Sequence, residues 1–352
     1  MSTLADVAKL AGVGVGTASR ALSGKGYVDE ATKSRVQTAA AKLKYRGNAA
    51  ARALRERRSR AIGLLIPDLS NEFYTSAAEV LQVELDAAGF QLIVAQTGGA
   101  AGDEQRAWET MLSRQVDGVV HVPVDPLGSV PTTLPVVQLN RRSQRCTATA
   151  VLSHDAQGVQ LLTEHLIDVG HRDIVALVGP SDFSTTKDRL AGFRSAIAAA
   201  DIPEVPAGTH DRAQPRTRVL SAALTIDAGA AAIESIADDL PTAVLALSAQ
   251  FVLGTLAVCK RRSIDIPTEL SIAGFNDPAW YSVWNPAITT FAPPLADMGR
   301  RASREILAAI DTWDGRPAKR PAVIQMEGEL RIRDSVAAIT HQSRRRPVPS
   351  SR

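Results

Sequence analysis

The chain has 352 residues, 45% of them hydrophobic, which predicts two or three globular domains rather than a disordered or fibrous protein. It has no apolar run of about 18 residues and no export signal at its start, and its two cysteines, Cys146 and Cys259, lie far apart, so we expect a reduced, cytoplasmic protein without a membrane segment. The net charge is +3, yet the first 60 residues carry 13 Lys or Arg against 4 Asp or Glu, which indicates either a polyanion partner or a solvated basic face.

The first 45 residues predict three short helices that form a small all-α domain. The first helix begins at a capping-box pair, Thr3 and Asp6, and ends at Gly12. The second begins near Gly14, and Asp29 caps the third. Apolar side chains recur at helical spacing in all three. The close spacing of the first two helices is typical of a helix-turn-helix domain.

The rest of the chain predicts an α/β core. Residues 46–60 form a basic, alanine-rich connector, in which an isolated helix would be marginal in water. In residues 61–335 continuous apolar strands alternate with helices, which is typical of parallel sheets covered on both faces, and this length predicts two similar subdomains. Residues 336–352 are rich in serine, arginine and proline and are predicted to form a disordered tail. The predicted strands are Ile62–Ile66, Gln91–Ala95, Gly118–Val122, Val136–Leu139, Ala150–Ser153, Ile174–Val178, Ala243–Leu247 and Ser271–Ala273, and the predicted helices are Ala77–Ala88, Glu104–Arg114, Gly158–Val169 and Arg189–Ala200.

An enzyme is the weakest interpretation of this sequence. Ser153, His154 and Asp155 have the residue types of a catalytic triad, but consecutive side chains at a strand end point to opposite faces and cannot form its hydrogen-bond relay. The six histidines show no metal-binding spacing. We therefore expect no enzymatic activity, no metal and no cofactor.

A series of short motifs resembles the lactose/galactose repressor family in order along nearly the whole chain to about residue 334. The resemblance implies a helix-turn-helix head, a hinge helix, and a periplasmic-binding-protein-like core of two parallel-sheet lobes between which the chain crosses three times. It also implies a homodimer on a palindromic operator, controlled by a small molecule in the interlobe cleft. The motifs are TLADVAKLAGV at 3–13, GTASRALSG at 16–24, IGLLIPDLSN at 62–71, VDGVV at 116–120, EHLI at 164–167, GHR at 170–172, RLAGF at 189–193 and GF at 274–275.

The resemblance also implies which residues contact DNA. The second helix would enter the major groove, where Val15 can touch a thymine methyl group and Arg20 can reach a guanine or a phosphate. Leu54 matches a leucine that the family pushes into the minor groove. The alternative is that these are ordinary surface and linker residues. Two departures are Gly14, where a serine cap is frequent, and Gly47, where proline is usual. The implied DNA-binding residues are Thr3, Val15, Gly16, Thr17, Ser19, Arg20, Asn48, Ala51 and Leu54.

The effector site is expected at the strand ends of the core, where open α/β sheets bind ligands. Arg189 matches a family arginine that grips effector hydroxyl or acid groups, although a surface salt bridge is the alternative. Ser248 and Ala249 stand where Asn-Asp is frequent, and Asn276 replaces an aspartate, so we expect a less hydroxyl-rich or more anionic effector than a plain hexose. Trp280 is either a wall of the site or a core residue. The implied effector-binding residues are Asn71, Phe73, Tyr74, Arg141, His154, Arg189, Ser248, Asn276 and Trp280.

The main hypothesis is therefore a ligand-controlled transcriptional regulator. Its expected partners are double-stranded operator DNA, a small polar metabolite such as a sugar or sugar derivative, and a second copy of the chain. A dimer is expected rather than a tetramer, because residues 340–352 cannot form a heptad seam. A solute-binding protein would lack the basic head and carry an export signal, and an architectural DNA-binding protein would not need a two-lobed sensor. The sequence leaves repression and activation open.

Overall fold

A computed structural model describes residues 2–24, 26–45, 58–99, 101–145, 147–206, 209, 214–317 and 321–339. The chain divides into two compact units, and the boundary lies between Arg60 and Ala61. Each unit is described by itself. The expected hinge contacts Asn48, Ala51 and Leu54 lie outside the described residues.

The first unit consists of three helices packed on a core of small residues. They are α1 (Leu4–Ala11), α2 (Val15–Ser23) and α3 (Glu30–Lys42). The predicted capping box of Thr3 and Asp6 is present, and the Asp29 side chain caps α3. The buried core residues are Val7, Ala8, Ala11, Ala18, Ala21, Val36, Ala39 and Ala40. The predicted three-helix head is therefore confirmed.

The second unit alternates strands and helices. The described strands are β1 Ala61–Ile66, β2 Gln91–Gln96, β3 Gly118–His121, β4 Val136–Leu139, β5 Thr149–Ser153, β6 Asp173–Val178, β7 Arg216–Ser221, β8 Ala243–Ala246, β9 Ser271–Phe275, β10 Thr289–Ala292, β11 Val323–Met326 and β12 Glu329–Arg331. The described helices are α4 Glu72–Ala87, α5 Ala101–Ser113, α6 Asp155–Asp168, α7 Ser184–Ala199, α8 Ile226–Glu234, α9 Ala249–Arg262, α10 Trp280–Val283 and α11 Leu295–Asp311. None of these described helices is long and apolar enough to cross a membrane.

The strands form two sheets with the same internal order, and each sheet defines a lobe. The first lobe contains the order β11-β5-β4-β3-β1-β2, and the second contains β12-β10-β9-β8-β6-β7. Neighbouring strands are parallel except for β10 and β12. The chain passes between the lobes after β5, after β10 and after β11. The predicted two-lobed fold with three crossings is therefore confirmed.

Helices cover both faces of each sheet, as the continuous apolar strands predict. In the first lobe, α4 and α11 share a core on one face, and α5 packs on the other through Trp108 and Met111. In the second lobe, α8 and α9 cover one face while α6 and α7 cover the other. Because α11 follows β10 but packs on the first sheet, neither lobe is contiguous in sequence.

Two helices begin five residues earlier than predicted, and a hydrogen-bonded segment extends into the predicted tail. Helix α4 begins at Glu72 rather than Ala77, because Phe73 and Tyr74 were assigned to a loop after the first strand although they are buried in the first turn of the helix. Helix α7 begins at Ser184 rather than Arg189, because its polar first turn hides the apolar periodicity. The disordered tail does not begin at residue 336. The backbone N–H of Ala337 donates to Ser271 Oγ at 3.0 Å, and that of Ile339 donates to the Val169 carbonyl at 2.8 Å. These bonds fix residues 336–339 on the second lobe; residues 340–352 lie outside the described part.

Candidate functional site

The N-terminal turn of α2 forms an exposed polar surface on the head. Its N-cap, Gly14, provides no side-chain hydrogen bond, so the first backbone N–H groups of the helix are not capped by a side chain. The Arg20 side chain lies back along the helix, with Nε 3.3 Å from the Gly16 carbonyl and Nη2 3.5 Å from Thr17 Oγ1. Val15 is 50% exposed beside them. A cation, a hydroxyl and an apolar group therefore share one helix end.

Two other expected DNA contacts have local structural roles. The Thr3 hydroxyl and Asp6 carboxylate are 2.8 Å apart, so Thr3 is part of the α1 cap. Ser19 is half-buried on α2. Neither role prevents a contact with a phosphate, and both residues remain predictions.

In the core, the carboxyl ends of the strands of both lobes enclose a cavity. Seven of the nine expected effector residues line it: Asn71, Phe73, Tyr74, Arg141, Arg189, Ser248 and Asn276. His154 and Trp280 do not. The backbone N–H of His154 donates to the Met326 carbonyl at a lobe crossing, and the Trp280 ring packs on Tyr281 with centroids 4.5 Å apart. These two residues are therefore not part of this cavity lining, and their expected contact with the effector stays a prediction.

Arg189 lines the cavity and forms a buried ion pair, while the effector contact that its motif implies stays a prediction. Its Nε donates to Asp155 Oδ2 at 2.8 Å and its Nη1 donates to the Leu247 carbonyl at 2.7 Å. The guanidinium also lies 3.9 Å from the centroid of the Phe275 ring. Burial raises the pKa of Asp155, and the Arg189 charge opposes that rise. Arg189 is thus a fixed, charge-paired wall of the cavity.

Arg141 enters the cavity from the first lobe. It is 5% exposed, its guanidinium lies 4.2 Å from the centroid of the Phe183 ring, and its Nη1 is 3.4 Å from the Pro123 carbonyl oxygen. Its Nε has no hydrogen-bond partner within the described chain. Burial lowers the pKa of Arg141, and the nearby Arg189 charge also disfavours its protonated form. This cation therefore lacks the carboxylate that Arg189 has.

A buried acid supports the loop beneath Arg141. Glu104 accepts hydrogen bonds from the backbone N–H groups of Val124 and Asp125, each at 3.0 Å, and contacts His121 Nε2. Burial opposes ionisation of Glu104, but these hydrogen bonds and the His121 charge hold its pKa below the usual value. The Glu104 carboxylate is therefore already hydrogen-bonded and does not pair with Arg141. The sequence pattern did not distinguish Glu104 from a surface residue of its helix.

Two asparagines occupy equivalent positions in the two lobes. Asn140 follows β4 with φ +64°, and Asn276 follows β9 with φ +71°. This left-handed conformation is unfavourable for most residues and is tolerated by asparagine. Both side chains line the cavity. Asn140 is a lining residue that was not among the expected effector contacts, although its position after a strand was the available signal.

The first turn of α7 also lines the cavity. Thr185 and Thr186 belong to the lining, together with Gly179, Leu224 and Gln250. Thr185 and Thr186 were missed because the helix was expected to begin later, at Arg189. The N-cap residue, Phe183, gives no side-chain hydrogen bond to this helix end. The amino end of α7 therefore faces the space between the lobes.

The cavity is small in this arrangement of the lobes. Its volume is about 30 Å³, which is room for one or two water molecules. Among the described residues, two hydrogen bonds join the lobes: the Arg142 N–H donates to Ser184 Oγ, and the Ala279 N–H donates to Glu72 Oε1, each at 3.0 Å. A metabolite can enter only if the lobes or their side chains move.

Comparisons with known proteins agree with both parts of the chain. Residues 3–48 match the model of bacterial regulatory proteins of the lacI family, and residues 163–336 match that of a periplasmic binding protein-like domain. The ribose operon repressor of Bacillus subtilis (strain 168) is 31% identical over 316 residues, which cover 88% of this chain and 92% of that protein. A structure of the CelR–cellobiose complex is 26% identical with a TM-score of 0.65, over 95% of this chain and 100% of that one. The Lac repressor dimer bound to operator has a TM-score of 0.79 at 22% identity, over 96% and 99% of the two chains.

Proposed function

The chain belongs to the lacI family of bacterial regulatory proteins, and we propose that a small polar metabolite in its interlobe cavity controls how tightly its head binds operator DNA. The observation that carries this proposal is that both lobes line one cavity, through Arg141 and Asn140 on one side and Arg189 and Asn276 on the other. A ligand shifts a conformational equilibrium only by its different affinity for the two states. A ligand that contacts both lobes has that property, because its contacts change when the lobes move.

The proposed DNA surface is the amino end of α2. A recognition helix enters the major groove with its N-terminal residues at the base edges. Val15 would contact a thymine methyl group, Thr17 a phosphate or base, and Arg20 a guanine. Gly16 has no side chain, so it would permit close approach of the backbone. The basic charge of the first 60 residues supports a phosphate contribution to the affinity.

We further infer that the chain represses transcription as a dimer on a palindromic operator in the cytoplasm. The similarity to a ribose operon repressor supports repression, and the similarity to a dimer bound to operator supports the assembly. Two-fold symmetry of a dimer is mirrored in the operator, so two half-sites would be read by two heads. The named ligand of a similar structure, cellobiose, supports a small polar effector of the same general kind.

A selection of genomic fragments tests this function. Purified full-length chain is mixed with sheared DNA from the organism that carries it, and bound fragments are sequenced at about 150 mM salt. We expect enrichment of a few palindromic sites, because specific binding typically exceeds non-specific binding by about 10³-fold or more. Uniform recovery of the whole genome would contradict sequence-specific regulation and would leave only electrostatic DNA binding.

A further inference from the structure

The cavity between the lobes is positively charged. Of the described residues that line it, Arg141 and Arg189 carry the only formal charges, and no aspartate or glutamate is among the lining residues. The polar lining groups that could contact sugar hydroxyls are uncharged, and they include Asn140, Ser248 and Asn276. Neutral amides and hydroxyls bind hydroxyl groups, but they do not balance two guanidinium groups.

The two arginines differ in what neutralises them. Arg189 is paired with Asp155, whose side chain is 4% exposed behind it. Arg141 has only the Phe183 ring and the Pro123 carbonyl oxygen as described partners. The nearby Glu104 is occupied by His121 and two backbone N–H groups. An isolated buried charge is unfavourable unless it is paired. The pairing group for Arg141 is therefore expected from outside the chain.

The second lobe presents a further positive group to the same cavity. The amino end of α7, a helix of 16 residues, contributes Thr185 and Thr186 to the lining, and no side chain caps it. The free N–H groups and the helix dipole at such an end favour anions. Arg141 comes from the first lobe, so a negative group between them would contact both lobes at once.

We propose that the effector carries an oxyanion, a phosphate or a carboxylate, which binds between Arg141 and the first turn of α7. This inference rests on the proposed function, because it places the oxyanion in the same effector cavity. An oxyanion can accept two parallel hydrogen bonds from a guanidinium and further bonds from backbone N–H groups. Because the oxyanion contacts both lobes, the effector binds the two arrangements of the lobes with different affinities, which is the condition for regulation.

Minimal anions test the proposal without knowledge of the natural effector. Thermal unfolding of the full chain, without DNA, is followed during titration with inorganic phosphate, acetate or glucose, and chloride keeps the ionic strength constant. We expect phosphate or acetate to raise Tm with saturation in the millimolar range, and the active anion identifies the class of oxyanion. Arg141→Met should weaken this binding at least tenfold, whereas Arg114→Met, at an exposed arginine outside the cavity, should not change it.

Two results would overturn the proposal and leave the proposed function intact. One is that neither anion gives a saturable rise in Tm, and the other is that glucose does so while both anions do not. Failure of the genomic selection would instead reject the proposed function, because that experiment contains none of these ligands.

The stability of the unliganded variants separates a ligand-binding role of Arg141 from a structural one. Arg141→Met should leave Tm unchanged or raised, because it removes an unpaired buried charge and keeps an apolar contact with Phe183. Arg189→Met should lower Tm by about 5–10 °C, because it leaves Asp155 buried without its partner. If Arg141→Met lowers Tm as far as Arg189→Met does, Arg141 is a structural residue and the proposal is wrong.

Discussion

At the residue scale, Arg20 offers a direct test of base reading by the head. Its guanidinium lies beside Gly16 and Thr17 at the exposed end of α2. We expect Arg20→Ala to lower affinity for the selected operator by about 1–3 kcal/mol, or roughly tenfold to a hundredfold, because a bidentate contact to a base is lost. Fluorescence anisotropy with operator and with scrambled DNA measures this.

Arg35 on α3 provides the matched control. It is an exposed arginine of the same head, and its Nη2 donates to Thr32 Oγ1 at 3.2 Å. Arg35→Ala should leave the ratio of operator to scrambled affinity unchanged. If Arg20→Ala also leaves that ratio unchanged, Arg20 contacts only phosphates and the assignment of base reading is wrong.

A second residue-scale prediction concerns His171, which is 1% exposed in the second lobe. Burial lowers its pKa to about 4 from an ordinary value of 6.5. As the pH falls, this histidine therefore binds a proton in the unfolded chain before it does so in the folded chain. The contribution of neutral His171 to stability is present above pH 6.5 and is lost progressively towards pH 4. We expect up to about 3 kcal/mol of acid destabilisation from this group.

Urea unfolding at pH 7.5 and pH 5 measures this contribution. His171→Gln keeps a polar side chain near Thr242, whose Oγ1 lies 2.9 Å from the histidine Nδ1, but it cannot titrate. The midpoint of the variant should therefore fall less between the two pH values than that of the parent. An equal fall in both proteins would show that His171 does not carry this pH dependence.

At the element scale, the packing of α6 on α7 explains the glycine in the RLAGF motif. A Cβ atom added at Gly192 would lie 1.9 Å from the carbonyl oxygen of Ala156. The backbones of the two helices would have to separate, so Gly192→Ala should destabilise the core by about 3 kcal/mol. Gly102→Ala on α5 is the control, because the nearest atom to its new Cβ would be 3.9 Å away.

Denaturant unfolding of both variants checks this prediction. Gly102→Ala should be neutral or stabilising by up to about 1 kcal/mol, since alanine favours a helix over glycine. Equal stability of Gly192→Ala and the parent would mean that the helices are not packed as closely as the structure indicates.

Apolar patterns in the sequence predicted the strands that consist mostly of continuous apolar residues. Strand β1 is buried at every position, and its apolar run made it easy to find. Strand β7 was missed because it contains Arg216 and Arg218, which are 1% exposed. Both arginines pair with Asp239, which lies far away in sequence. No local pattern can show that a charge will be neutralised by a distant partner.

The sequence also predicted part of the cavity lining, but not all of it. Asn71, Arg141 and Asn276 follow strands, and parallel strands bring their carboxyl ends to one edge. The amino end of α7 was missed because its polar first turn carries no apolar periodicity. The pairing of Arg189 with Asp155 depends on contacts between residues 34 positions apart, which spacing alone does not determine.

At the scale of the whole core, the repeated sheet order explains why the cavity lies where it does. Both sheets place equivalent strand ends towards the same space, and Asn140 and Asn276 mark equivalent points. We therefore expect the arrangement of the lobes, rather than any single residue, to set operator affinity.

A reversible cross-link between the lobes tests this central claim directly. The Arg142 N–H lies 3.0 Å from Ser184 Oγ, so the two residues are neighbours across the lobes and provide the positions for an engineered disulfide. Arg142→Cys and Ser184→Cys are combined with Cys146→Ser to prevent a competing bond, while Cys259 is buried with its pKa raised to about 11 and stays a thiol. Cys146→Ser alone is the control for effects of oxidant.

The measurement is the affinity of this triple variant for its selected operator before and after oxidation, with the cross-link verified by mass. We expect the oxidised and reduced forms to differ by about 5- to 150-fold, the usual size of allosteric coupling, while the control stays constant. Equal operator affinity in both forms, with the cross-link complete, would contradict control of DNA binding by the arrangement of the lobes.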